Sequence, residues 1–210
     1  CDAETIRQDR EAKQREEREA EKQYRYDNPE TYMAGCNIPR KYIHCAFEGF
    51  QGNDKLIKTC QEYRGGGLVL SGNTGCGKTF LSIAFLREYV KRGKAKPWFV
   101  TVPDLLLEIR SSFRDEADRS EADIVDEYST IPFLVLDDLG SEKTTEFTIT
   151  TLYIILDRRD REMLDTIITT NLTLAEISEK LSARIASRLA GMRNIKINMP
   201  DYRKLRRVDK

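Results

Sequence analysis

Leu68 to Thr79 reads LVLSGNTGCGKT, and from Gly72 onward it matches the pattern G-x-x-x-x-G-K-[ST]. A tight loop running into a helix aims several backbone N–H groups at one point, and the helix N-terminus adds partial positive charge there. Gly75 and Gly77 permit the turns that bring those donors together. Lys78 is expected to reach the β- and γ-phosphates of a nucleotide, and the Thr79 hydroxyl to take a place on Mg2+. The expected cradle is Gly72, Asn73, Thr74, Gly75, Cys76, Gly77, Lys78 and Thr79, with Phe80 directly behind it. A glycine turn that merely happened to precede Lys-Thr would lack the flanks seen here. The loop follows an apolar run, Leu68-Val69-Leu70, and opens an apolar helical stretch, FLSIAFLREYV.

Working outward, the pattern alternates strands and helices. Asn53 to Tyr63 reads as a short amphipathic helix stopped by Gly65-Gly66-Gly67. After the loop come a helix over Thr79–Lys91 and a second strand over Lys96–Val102. Pro103-Asp104 then opens a helix with Leu105, Leu106, Ile109 and Phe113 at helical spacing. An acidic polar stretch, Asp115–Glu127, separates it from a third strand, Pro132 to Asp137, whose continuous apolar run fits a strand buried on both faces. Thr144–Arg161 reads as a helix, Asp165–Thr170 as a fourth strand, Leu174–Leu189 as a helix and Ile195–Asn198 as a short last strand. Such alternation predicts an α/β fold: a parallel sheet covered by helices on both faces, with its ligand at the strands' carboxyl ends.

One of those ends should bring carboxylates beside the phosphate loop, and Leu134-Val135-Leu136-Asp137-Asp138 does so. Asp137 is expected in the Mg2+ shell, with Asp138 polarising an attacking water. The alternative, an Asp pair capping the next turn, is common at strand ends but does not explain the phosphate loop upstream. Asn171 ends the fourth strand, where its amide is placed to bond a γ-phosphate or orient the water. Arg184 and Arg188 sit one helical turn apart in SARIASRL, and Arg203 follows in DYR. A guanidinium from a neighbouring subunit can offset charge on a phosphoryl transition state; a solvated helix face is the plainer alternative for any one of them.

The bulk properties bound these readings. The 210 residues carry a formal net charge of zero, which excludes a polybasic protein. No apolar run approaches a membrane span, and no signal-peptide pattern opens the chain. Five cysteines at scattered spacings suit a reducing cytoplasm better than a disulfide framework. Because residue 1 is Cys rather than Met, a missing natural N-terminus is expected. Residues 2–28 are nearly all charged or helix-favouring, with apolar positions too sparse for a heptad seam. They read as a solvated helix, a partly disordered arm, or an arm that orders on a partner. Pro29 to Phe50 reads as a linker folding onto the core's edge. Cys36, His44 and Cys45 do not make a zinc spacing.

Taken in order, GNTGCGKT, LVLDDLGSE, ITTNL and SARIASRL followed by DYR resemble the AAA+ ATPases of the DnaC/DnaI type, loaders of the replicative helicase; the IstB-type transposition helpers share the scaffold. The resemblance spans about residues 38–205, leaving 1–37 as an arm standing for the helicase-contacting region, with Cys1 the remnant of a zinc-binding module. It implies a five-stranded AAA+ sheet, ATP and Mg2+ sandwiched between self-associating subunits, no C-terminal lid domain, Arg188 as the trans-acting finger and Arg203 as the second sensor. Asp138 stands where many AAA+ proteins carry Glu; the shorter carboxylate predicts slow hydrolysis, suited to a timing switch. Family analogy also places single-stranded DNA near Arg110 and Phe113, and near Lys143, Thr145 and Phe147, an arrangement of cation and aromatic that fits base stacking. Both phenylalanines also lie on apolar stripes and fit a core role. The basic tail from Arg203 to Arg207 is a second candidate. Loading a hexameric helicase onto single-stranded DNA is therefore the leading expectation. Its rivals are a transposition helper binding duplex DNA and a transposase, and a nucleotide-gated binding module with negligible catalysis.

Overall fold

The computed structural model describes residues 3–51, 54–93, 96–114 and 118–202. Five parallel strands form one sheet in the order β2-β3-β4-β1-β5. They are β1 (Gly67–Gly72), β2 (Trp98–Thr101), β3 (Phe133–Leu139), β4 (Asp165–Thr170) and β5 (Arg193–Ile197). β1 pairs with β4 on one side and β5 on the other, and β4 pairs with β3. The carboxyl ends of β1, β3 and β4 are therefore neighbours, and the ligand end of the sheet is where the sequence motifs converge.

Alternation along the strands feeds two cores. Leu68, Leu70, Val135 and Ile167 face one side, where they pack with α4 (Lys78–Lys91), α3 (Asp54–Gln61) and aromatic residues of the N-terminal segment. Val69, Leu134, Leu136 and Ile168 face the other. That side is covered by α5 (Val102–Ser111), α6 (Glu121–Thr130), α7 (Glu146–Arg161), α8 (Leu174–Lys180) and α9 (Ala183–Ala190). Both faces of β3 are buried, as its uninterrupted apolar run requires. The N-terminal residues form α1 (Ala3–Asp27) and the short α2 (Pro29–Met33). Met33, which ends α2, and Cys36 just beyond it are fully buried in the first core. The Phe99 N–H donates to Cys36 O (3.0 Å) and Asn37 Nδ2 donates to Phe99 O (2.9 Å), so this segment lies along the outer edge of β2. Among the described residues no helix is long and apolar enough to cross a membrane.

Three stretches fold differently from the sequence expectation. The acidic stretch Asp115–Glu127 is not simply a spacer: its second half begins α6. Ser120 and Asp123 cap each other reciprocally, the Asp123 N–H donating to Ser120 Oγ and the Ser120 N–H to Asp123 Oδ2. Ile124, Val125 and Tyr128 supply the buried stripe. Leu174–Leu189 is two helices rather than one, because the Ser182 hydroxyl accepts the Ile185 N–H and starts α9 afresh. β5 begins earlier than its apolar residues, since Arg193 already pairs with Leu68.

Candidate nucleotide site

The site residues are carried by several elements that meet at one end of the sheet. β1 leads into the phosphate loop, where Gly75 and Gly77 take φ of 78° and 97°. Those left-handed conformations favour glycine, and both close approaches depend on a missing side chain. A Cβ on Gly75 would lie 1.8 Å from Asp201 Oδ1, and one on Gly77 would lie 2.5 Å from Phe50 Cε2. Asn73 and Thr74 are exposed at the loop's crest, whereas Cys76 is fully buried beneath it.

Lys78 opens α4 and is only 5% exposed. Its ammonium donates to Gly72 O and Asn73 O, each at 2.9 Å, and to Asn171 Oδ1 at 2.5 Å. The lysine of β1's loop and the amide that ends β4 therefore meet directly. The Thr79 hydroxyl donates to Asp137 Oδ2 at 2.9 Å, and the Thr169 hydroxyl donates to Asp137 Oδ1 at 2.7 Å. The same Thr169 oxygen accepts the Asp138 backbone N–H at 2.9 Å, tying the Asp137 carboxylate and the Asp138 backbone to β4 through one hydroxyl. Asp137 is buried. Burial pushes its carboxyl up to about 6, and the neighbouring Asp138 adds to the rise, against the lowering effect of the Thr169 and Thr79 hydrogen bonds and the Lys78 charge.

Asp138 is half-buried and has φ of 60°, a left-handed conformation that costs free energy and must be held by its surroundings. Ser141 donates to Asp138 O through both its N–H and its hydroxyl, and Glu142 Oε2 accepts the Gly140 N–H at 2.8 Å. From β4, the Thr170 hydroxyl donates to Leu139 O at 2.8 Å. The turn that aims Asp138 is thus braced from its own far side and from the neighbouring strand.

The donor set fits a nucleotide with a hard divalent cation. A threonine hydroxyl and a buried carboxylate offer the oxygen ligands Mg2+ takes when phosphates and water complete its shell. The glycine-rich loop, with the Lys78 ammonium drawn against its Gly72 and Asn73 carbonyls, supplies donors that suit phosphate oxygens. Three partners of this site carried no local sequence signal. Phe50 stacks at 5.6 Å from the Phe80 ring and 6.2 Å from Tyr202. The Tyr202 N–H donates to Gly75 O at 3.1 Å, closing the described C-terminus over the loop. Thr169 was visible only as one of two threonines before Asn171.

Other expected residues lie apart from this centre. Arg188, on α9, pairs with Asp157 and Asp160 of α7 rather than with the phosphate loop of its own chain. Arg184 lies 5.9 Å over the Tyr153 ring. Arg203 falls outside the described residues. Of the DNA candidates, Phe113 is 58% exposed, so it belongs to the surface rather than to the core. Its ring meets that of half-buried Phe147 edge-on at 5.6 Å, while Arg110 and Lys143 are exposed. The Thr145 hydroxyl accepts the Thr148 N–H and caps α7.

Residues 56–203 match the family model described as IstB-like ATP binding protein. The chain belongs to this family. Within it, the chain is 26% identical over 156 residues to the replicative helicase loader DnaC of Escherichia coli strain K12, a match covering 70% of this chain and 63% of that protein. It is 29% identical over 130 residues to the replicative helicase loader DnaI of Bacillus subtilis strain 168, covering 61% and 40% of the two chains. The chain therefore spans less than two thirds of the length of these relatives. Among solved structures, that of DnaI superposes with a TM-score of 0.65 at 27% identity, covering 77% of this chain and 95% of the other. The five-stranded core and the phosphate loop are thus the frame of an IstB-like ATP binding protein.

Proposed function

We propose that this chain is an ATP-hydrolysing loader that delivers a hexameric replicative helicase onto single-stranded DNA. The observation that carries the reading is the 26% identity to the loader DnaC over 156 residues. The site's geometry supports ATP turnover. Lys78 already spans the gap between the loop and Asn171, so it can exchange the loop carbonyls and the amide for phosphate oxygens as ATP enters. Thr79 and Asp137 are the residues to hold Mg2+, which when bound neutralises charge on the phosphates. Asp138 is aimed by its braced turn to polarise water, and Asn171 to orient it. Arg188 and Arg203 would complete the site, Arg188 from a neighbouring subunit. With Asp rather than Glu at position 138, hydrolysis is expected to be slow and stimulated by DNA or partner.

Single-stranded DNA would cross the face that carries Arg110, Phe113, Lys143, Thr145 and Phe147, where exposed Phe113 meets half-buried Phe147 and both cations are exposed. A second reading, a transposition helper that engages duplex DNA and a transposase, is favoured by the IstB-like family match itself. Fluorescent single-stranded and duplex oligonucleotides, tested with ATP, ADP or no nucleotide at stated salt, separate the two. ATP-dependent single-strand binding that is lost in Lys78→Ala, followed by capture of helicase, supports the loader. A preference for duplex would replace it with the transposition helper.

A further inference from the structure

The ion pairs around Arg188 extend the proposed subunit-bridging role to a second residue. α9 is pinned to the core on one side by Ile185 and Leu189, both fully buried. Its other side presents Arg184 and Arg188 to α7, one turn apart. Arg188 Nη2 lies 2.5 Å from Asp157 Oδ1, and Arg188 Nη1 lies 3.5 Å from Asp160 Oδ2. The two carboxylates differ in setting. Asp160 is 47% exposed, as expected of a surface ion pair, whereas the Asp157 side chain is only 6% exposed. Asp157 is held from three directions: by Arg188, by Arg161 Nη2 at 2.6 Å from Oδ2, and by the Tyr153 hydroxyl at 3.5 Å.

A surface ion pair needs no buried carboxylate, and burying one is costly unless it is well paired. A long arginine side chain that must meet a phosphate also loses rotamer freedom on contact, so fixing it beforehand favours the productive geometry. We infer that Asp157 is a positioning residue for Arg188: anchored inside α7, it holds the guanidinium at the subunit surface in the orientation that meets the γ-phosphate of a neighbouring chain. Arg188 keeps 37% of its side-chain surface exposed. Two of its nitrogens face α7, and a guanidinium has further N–H groups to offer outward. The inference rests on the reading of Arg188 as a subunit-bridging finger.

The test is a double-mutant cycle on ATP turnover, with kcat and KM measured for the wild-type chain, Asp157→Asn, Arg188→Ala and the double variant. The finger acts on the transition state while the phosphate loop binds ATP. Asp157→Asn is therefore expected to lower kcat about tenfold or more and to leave KM within about twofold. The double variant is expected to be no slower than Arg188→Ala, and Asp157→Glu to recover most of the rate. Independent, multiplying losses would overturn the inference, as would Asp157→Asn with wild-type or raised turnover while Arg188→Ala is slow. Wild-type turnover in Arg188→Ala would instead sink the finger reading beneath it, and that outcome is visible without any Asp157 variant. If Asp157→Asn melts below the assay temperature, the cycle is run with Asp157→Ser at a temperature where that variant is folded: a severalfold loss of kcat, absent in the Arg188→Ala background, upholds the inference, and an unchanged rate overturns it.

Discussion

Asp137→Asn should make the nucleotide-free, metal-free protein more stable while removing the carboxylate proposed to hold Mg2+. The wild-type carboxyl is pushed from 3.8 to about 6, chiefly by burial. A shift of about two units corresponds to about 3 kcal/mol of cost to hold Asp137 ionised in the fold at neutral pH. The asparagine carries no charge. With its amide oxygen at the Oδ1 position it still accepts from Thr169, and its amide nitrogen at the Oδ2 position can donate to the Thr79 hydroxyl. The sign follows from linkage: the folded state holds this proton more tightly than the unfolded state, so wild-type stability falls as pH rises from about 4 to about 6, then levels off. The advantage of the variant should be about 3 kcal/mol near pH 7.5 and shrink to about 1 kcal/mol near pH 4.5. For a chain of this size, the larger gain is a rise in Tm of roughly 6–12 °C. Thermal and urea melting of both proteins in EDTA at the two pH values measures it. A variant no more stable than wild type at neutral pH, or a gap that does not narrow on acidification, would refute the reasoning.

Three further outcomes are expected. Arg159 is fully buried and donates to Thr166 Oγ1 and to the carbonyls of Tyr128, Ile131 and Asp165, so Arg159→Met should cost roughly 3–5 kcal/mol in urea unfolding, with Arg159→Lys recovering less than half. Ser120→Ala removes one half of the capping box of α6 and should cost about 1 kcal/mol, read as a Tm lower by roughly 2–4 °C. On the proposed DNA face, Phe113→Ala should weaken single-strand binding by about 1–3 kcal/mol at fixed salt, whereas Arg110→Ala should lower the salt slope of binding by about one; an oligonucleotide titration across salt concentrations distinguishes the two.

The α/β frame was readable because its evidence is local. An apolar run before a glycine loop, another before an Asp pair and a third before Asn171 each announce a strand end, and parallel alternation places those ends together. α6 was obscured because acidic residues dominate its first turn, though Ser120 and Asp123 stood at capping-box spacing. The break before α9 was obscured by continuous helical periodicity across Leu181-Ser182. Thr169, Phe50 and Tyr202 could not be placed beside the loop from sequence, since their partners lie 32, 30 and 127 residues away, respectively, at Asp137, Phe80 and Gly75. The pairing of Arg188 with Asp157 is likewise a property of two helices packing and leaves no mark along either segment.

The contact between Cys36-Asn37 and Phe99 has a consequence for how the molecule behaves in a crowded solution. β2 ends the sheet on one side, and an uncovered strand edge is a template for pairing with other chains. Here both outward backbone groups of Phe99 are already taken. The opposite edge is protected by other means: β5 exposes Arg193 and Lys196, charges that discourage a second strand from docking. Proteolysis that removed the chain through Asn37 would leave the phosphate site's own residues intact and yet uncover β2. The expected symptom is association through that edge.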